Sequence, residues 1–130
     1  MIVIDASALV ATIGNDPDAA TANVRLRGSG ETLHAPHLID IEVTHALQRG
    51  ARAGIYPPDL CRAVLASLID LPLERYRHAP LHPRVWALRH KLSAYDAIYV
   101  ALAELLDAPL LTRDRRLAAA PGHSARIELV

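Results

Sequence analysis

Four carboxylates are set apart in this 130-residue sequence by their neighbours: Asp5, Glu42, Asp96 and Asp114. Asp5 ends the apolar run Ile2-Val3-Ile4, and Asp114 follows the apolar run Leu110-Leu111-Thr112. Asp96 lies three residues after Ser93, at the head of a nearly all-apolar stretch. Glu42 falls among apolar residues, with Leu38 one turn before it and Ala46 one turn after, so its carboxylate sits at or under a packed surface. Each has a purely structural reading. Asp5 caps a helix well, Ser93 and Asp96 match a capping box with Asp in the acidic position, and Glu42 could pair with Arg49 or Arg52. Burying an unpaired carboxylate costs several kcal/mol, so Glu42 is either paired or holds a metal ion. Taken together the acids say more, because strand ends and the helix starts that follow them open on one edge of a right-handed α/β sheet. Four carboxylates there repel one another unless a cation sits between them. Mg²⁺ or Mn²⁺ prefers such oxygen donors, and an ion so held positions a phosphodiester, acidifies a bound water and stabilises the leaving oxygen.

The elements that must position these acids alternate between strand and helix. Strands are expected at residues 2–4, 32–35, 73–78, 110–112 and 126–130. The continuous apolar runs at 2–4 and 110–112 are those of strands covered on both faces. Helices are expected at 6–13, from Asp16-Pro17 to about Leu26, from Pro36 to the 50–54 region, at 60–69, at 81–92 with Trp86 and Leu88 inward, at 97–106 and at 115–120. The helix at 97–106, apolar nearly all round with only Glu104 charged, reads as the buried core element. The result is an α/β fold with a mostly parallel sheet, in one domain spanning residues 1–130.

Composition narrows the function classes. The chain is 52% hydrophobic and 22% charged, with formal net charge zero, so a polyanion must be held by a local patch or by metal ions and not by a global field. Arg113, Arg115 and Arg116 beside Asp114 form one such patch, and Arg84, Arg89, His90 and Lys91 another; a solvated helix face explains either equally well. The single Cys61 fits a reducing compartment and a small core filler, and the charged Asp5 argues against a secretion signal, so a cytoplasmic protein is expected. His34, His37, His78 and His82 lack the spacing and the cysteine company of a zinc site. Tyr95 and Tyr99 are read as packing residues, with base stacking as the other option.

The strand ending in Asp5 with Ser7 after it, the helix with Glu42, the block Tyr95-Asp96-Ala97-Ile98-Tyr99-Val100-Ala101-Leu102-Ala103 and the block Leu111-Thr112-Arg113-Asp114-Arg115-Arg116-Leu117 together resemble the PIN-domain family. More closely, the chain is similar to the VapC ribonuclease toxins of bacterial toxin–antitoxin pairs. The resemblance covers essentially the whole chain, with no departure at the four acidic positions. It implies a PIN-like three-layer fold, Mg²⁺- or Mn²⁺-dependent endoribonuclease activity leaving 5′-phosphate and 3′-hydroxyl ends, inhibition by a VapB-type antitoxin, and a homodimer. Residue by residue, it makes Asp5 and Asp96 the central metal ligands, lets Glu42 and Asp114 complete the cluster, and offers Thr112 or Ser7 as a hydroxyl for water or phosphate. Arg113, Arg115 and Arg116 are then candidate RNA phosphate contacts. A phosphoacceptor receiver domain would need an acidic pair at the first strand and a lysine on a late strand; the only lysine, Lys91, is on a helix. A haloacid-dehalogenase-type phosphatase would need an Asp where Ser7 stands. The remaining alternative is a non-catalytic PIN-like module that binds a protein partner through its acidic groove.

Overall fold

The short apolar runs form β1 (Ile2–Ile4), β2 (Leu33–Pro36), β3 (Leu73–Tyr76), β4 (Leu110–Thr112) and β5 (Ile127–Leu129) in a computed structural model that describes residues 1–13, 19–27 and 30–130. They pair in the order β3-β2-β1-β4-β5, and every pairing is parallel. The helices are α1 (Ala6–Ile13), α2 (Ala19–Arg27), α3 (Leu38–Arg52), α4 (Pro58–Asp70), α5 (His82–Ala87), α6 (Ala94–Leu106) and α7 (Arg115–Ala119), with a 3₁₀ turn at Ala79–Leu81. The expected break at 14–17, the helix start at Asp16-Pro17 and the Gly28-Ser29 part of the next break lie outside the described residues.

A parallel sheet has helices on its faces, so its inner strands carry apolar side chains on both sides. Every residue of β1 and β4 is buried accordingly. β1 lies at the centre of the sheet and is in register with β4, Ile4 opposite Leu111. The Asp5 amide donates to the Leu111 carbonyl at 3.1 Å, which sets Asp5 beside the end of β4.

The core helix α6 is buried at every position from Ala97 to Ala103 and packs on β1, β2 and β4. It starts three residues earlier than its apolar run, because Ser93 supplies the N-cap: the Ser93 hydroxyl accepts from the Asp96 amide at 3.1 Å. It ends at Asp107, in the left-handed region at φ 46°, where the cap amide reaches back to the carbonyls of Ala103 and Glu104. Asp tolerates that conformation better than most residues. Arg126 braces it by donating to the Asp107 carboxylate and carbonyl, each at 2.8 Å.

Boundaries shift where tertiary pairing overrides local pattern. Pro36 completes β2 opposite Tyr76, so α3 begins at Leu38. β3 stops at Tyr76, and His78 turns away to accept the Leu38 amide on Nε2 at 3.0 Å. The single helix expected at 81–92 is broken into the 3₁₀ turn, the six residues of α5 and turns beyond it. Trp86, expected inward, is 69% exposed, with the Arg89 guanidinium 4.7 Å from its ring centre. The inward side is set by Leu81, Val85 and Leu88 at helical spacing, which places Trp86 on the opposite face. Tyr95 is likewise 63% exposed, whereas Tyr99 is buried. Cys61 packs against the core from α4. Among the described residues no helix is long and apolar enough to cross a membrane.

Candidate active site

At the carboxyl edge of the sheet a cavity of about 850 Å³ is lined by Asp5, Glu42, Asp96 and Asp114 together. Four different elements deliver them: the end of β1, the second turn of α3, the first turn of α6 and the residue after β4.

Asp5 is 7% exposed and is fixed from three directions. Its Oδ1 accepts from the Ala8 amide at 2.8 Å and the Ser7 hydroxyl at 2.7 Å, and its Oδ2 accepts from the Thr112 hydroxyl at 2.5 Å. It therefore caps α1 and still faces the cavity, so the structural and chemical readings hold at once. The two hydroxyls are relays. The Arg113 amide donates to Ser7 Oγ at 2.9 Å and the Asp114 amide donates to Thr112 Oγ1 at 2.9 Å, so the chain after β4 is tied to both oxygens of Asp5. Burial pushes the Asp5 carboxyl above the usual range, and the hydrogen bonds from Thr112, Ala8 and Ser7 pull against that. Each hydroxyl has one proton, and both are given to Asp5. Thr112 in addition is fully buried, which places its hydroxyl to orient the Asp5 carboxylate.

Glu42 is half-buried, as its neighbours imply, but its partner is neither Arg49 nor Arg52. The buried Tyr99 hydroxyl donates to Glu42 Oε2 at 2.5 Å. Burial raises the Glu42 carboxyl, the Tyr99 bond lowers it, and the nearby charges of Asp5 and Asp96 raise it further. The Tyr99 phenol is held far above its ordinary value by burial and by Glu42. Asp96 accepts the Ser93 hydroxyl on Oδ2 at 2.8 Å. Asp114 caps α7, with Oδ1 accepting from the Arg116 and Leu117 amides at 2.7 and 3.3 Å.

Glu42, Asp96 and Asp114 thus each keep one oxygen that no hydrogen bond occupies among the described residues. Oxygen donors of this kind fit a hard divalent cation. Among the described residues no three His, Cys, Asp or Glu side chains form a ready-made cage. A Mg²⁺-type ion does not need one, since it keeps several waters and is held by one or two carboxylates.

The basic residues divide. Arg113 lines the cavity; Arg115 and Arg116 do not, and the Arg116 side chain is 96% exposed, with its Nε 3.9 Å from Asp114 Oδ1. Arg84 is bound to Glu104 and Arg89 lies on Trp86, so the second basic face is structural at those positions. The cavity also holds His45 and Tyr56, to which the sequence assigned no role, with Arg49, expected only as an ion-pair partner of Glu42, and Tyr99, expected to pack or stack and found bonded to Glu42. The signal for Tyr99 was present, since it follows Asp96 by three on one helix face. Arg49 sits two turns after Glu42 on α3, and Tyr56 needed the fold of the loop after α3 to bring it in.

A family model described as PIN domain matches residues 2–122. Ribonuclease VapC1 of Mycobacterium tuberculosis (strain ATCC 25618 / H37Rv) is 46% identical over 130 residues, covering 98% of this chain and 96% of that protein. Among solved structures, PAE2754 from Pyrobaculum aerophilum superposes with a TM-score of 0.71 at 26% identity, covering 97% of this chain and 81% of that one. VapBC2 from Rickettsia felis, bound to a DNA fragment from their promoter, superposes with a TM-score of 0.72 at 16% identity, covering 100% and 99%, which speaks for the fold alone. With its acids at the carboxyl edge of an all-parallel sheet and these relatives along its whole length, the chain belongs to the PIN-domain family, as a VapC-type member.

Proposed function

We propose that this protein is the ribonuclease toxin of a toxin–antitoxin pair, an endoribonuclease that hydrolyses RNA phosphodiesters with Mg²⁺ or Mn²⁺ at Asp5, Glu42, Asp96 and Asp114. The observation that carries the reading is the convergence of four carboxylates from four elements on one cavity, three of them with an oxygen left over. The name of the 46% identical relative, Ribonuclease VapC1, supports the substrate class. The name VapBC2, shared by a solved structure of the same fold, supports a VapB-type antitoxin as partner, and a homodimer goes with that reading.

A hard divalent ion, when bound, supplies Lewis acidity toward the phosphodiester and the attacking water. The rest is the work of this chain. Ser7 and Thr112 hold Asp5 from both its oxygens, and Tyr99 holds Glu42 by Oε2, leaving Oε1 without a hydrogen bond among the described residues. Ser93 fixes the first turn of α6 and with it Asp96. Arg113, at the rim beside Asp114, offers a cation to the RNA backbone. Ser7 and His45 both line the cavity, but the Ser7 hydroxyl donates to Asp5, and among the described residues no histidine is hydrogen-bonded to it as a base.

Purified protein, freed of any co-purifying partner, is expected to cleave total RNA with Mg²⁺ or Mn²⁺, to stop with chelator, and to be inactive as Asp5→Asn or Asp96→Asn. Cleavage that persists in chelator would sink the metal reading. No cleavage by a folded, metal-binding wild type would favour a protein-binding groove instead.

A further inference from the structure

The cavity has two unlike walls. Beyond Glu42 on the same helix, the C-terminal half of α3 and the loop after it contribute Arg49, Gly50, Ile55 and Tyr56 to its lining. Gly50 is buried, and Tyr56 lies so close against it that a β-carbon on residue 50 would fall 2.1 Å from Tyr56 Cδ2 and 2.4 Å from Cε2. The amides of Ile55 and Tyr56 both donate to the Gly50 carbonyl, at 2.8 and 3.2 Å, which pins the loop down. The glycine is thus a seat for the ring. A tyrosine that is largely packed normally finds a hydrogen-bond partner for its hydroxyl. That of Tyr56 has none among the described residues, and neither has the guanidinium of Arg49, the residue next to Gly50. Ile55 beside them is 69% exposed.

An aromatic ring on a rigid seat, an exposed aliphatic side chain, a spare hydroxyl and a spare guanidinium are the parts of a nucleobase subsite: a face to stack on, a donor for a base edge and a cation for the adjoining phosphate. We infer that the Gly50–Tyr56 wall binds the base of a nucleotide next to the one whose phosphate meets the acids, so that Tyr56 and Arg49 take part in choosing the RNA that is cut. This rests on the ribonuclease reading and assigns a second wall of the same cavity.

Binding of a fluorescein-labelled, twelve-nucleotide single-stranded RNA of mixed sequence, measured in chelator to suppress cleavage, tests it apart from catalysis. Tyr56→Phe keeps the ring and loses only the donor, so it is expected to bind a few-fold more weakly than wild type, whereas Tyr56→Leu is expected to bind roughly tenfold more weakly with an unchanged salt slope. Arg49→Gln is expected to weaken binding and to make the salt slope shallower by about one. Gly50→Ala displaces the ring and is expected to behave like Tyr56→Leu. In Mg²⁺ or Mn²⁺, Tyr56→Leu is expected to raise KM more than it lowers kcat and to relax the sequence around the cut. Equal affinity for Tyr56→Leu and wild type, or equal losses in Tyr56→Phe and Tyr56→Leu, would overturn the subsite while leaving the nuclease standing. A wild type that neither binds nor cuts RNA would overturn the ribonuclease reading and the subsite together.

Discussion

Glu42 holds a half-buried charge whose only partner among the described residues is the Tyr99 hydroxyl, with Asp5 and Asp96 adding repulsion. A carboxyl whose folded pKa is raised above its unfolded value of 4.5 takes up a proton more readily when folded. Its effect on stability is therefore absent at pH below 4.5, and the fold loses stability as pH rises from 4.5 through the raised value. Above that raised value the full penalty applies. Glu42→Gln keeps an acceptor for Tyr99 and removes the charge, so in chelator it is expected to melt a few degrees higher than wild type at pH 7 and about equally at pH 4. A variant that is less stable at both values would show that Glu42 is held mainly by its bond and not strained by its charge. That acids would gather was legible from Asp5, Glu42, Asp96 and Asp114 alone, because a carboxylate among apolar neighbours needs a reason. What holds them was not. Tyr99 read as packing because a buried phenol and a purely apolar core residue look alike in sequence. The Ser7 and Thr112 relays need β4 beside β1, a pairing made across 107 residues of chain in the Thr112–Asp5 bond.

Capping is where an element and the chemistry share one residue. α7 has five residues, too few to persist without its cap, and Asp114 supplies that cap with the same carboxylate that lines the cavity. The two roles separate by substitution. Asn caps as well as Asp, so Asp114→Asn is expected to stay within about 0.5 kcal/mol of wild type in stability. It loses the charge, and its cleavage rate is expected to fall at least about tenfold, the scale of losing an outer group around a metal. Asp114→Ala is expected to lose the activity and a further ~1 kcal/mol in urea unfolding. If Asp114→Asn keeps full activity, Asp114 is a cap and nothing more. Elements with a strong local signature were the legible ones: the Ser93 cap, the buried run of α6 and the strands at 2–4 and 110–112. Trp86 misled because a large apolar residue on a short amphipathic segment was assigned inward, when the stripe Leu81, Val85 and Leu88 already filled the inner face. A stripe spaced by four and three residues decides the buried side more reliably than the size of any one member.

Across the whole molecule, α/β alternation announces a parallel sheet, whereas the strand order does not follow from it. β1 is central because the chain pairs it with both β2 and β4, and only that placement brings Asp5 between the α3 acid and the β4 acid. The end of α6 away from Asp96 is then steadied by a network that no local pattern reveals. Arg84 of α5 donates to Glu104 of α6 through Nε at 2.6 Å and Nη2 at 2.9 Å, and Nη2 also reaches the Gly122 carbonyl at 3.2 Å. Ser124 adds its amide and hydroxyl to Glu104 Oε1 at 2.8 and 3.2 Å. These bonds tie α5, α6 and the approach to β5 into one unit, and α6 is the helix that presents Asp96. The Arg84 guanidinium holds the Glu104 carboxyl down at about 2 from an ordinary 4.5, with Ser124 helping and burial opposing. A depressed folded pKa means that this stability is complete above pH 4.5 and drains away as pH falls from 4.5 to about 2. Arg84 is 41% exposed, so solvent screening reduces the value of the pair to about 1 kcal/mol. Glu104→Gln is accordingly expected to unfold in urea about 1 kcal/mol more easily at pH 7, with the gap closing between pH 4.5 and 2 as wild type loses the same charge. A gap that stays constant across that range would mean the network works through hydrogen bonds that Gln cannot copy, and not through the ion pair. The strained Glu42 and the paired Glu104 thus pull stability in opposite directions as pH rises, the first lowering it and the second raising it.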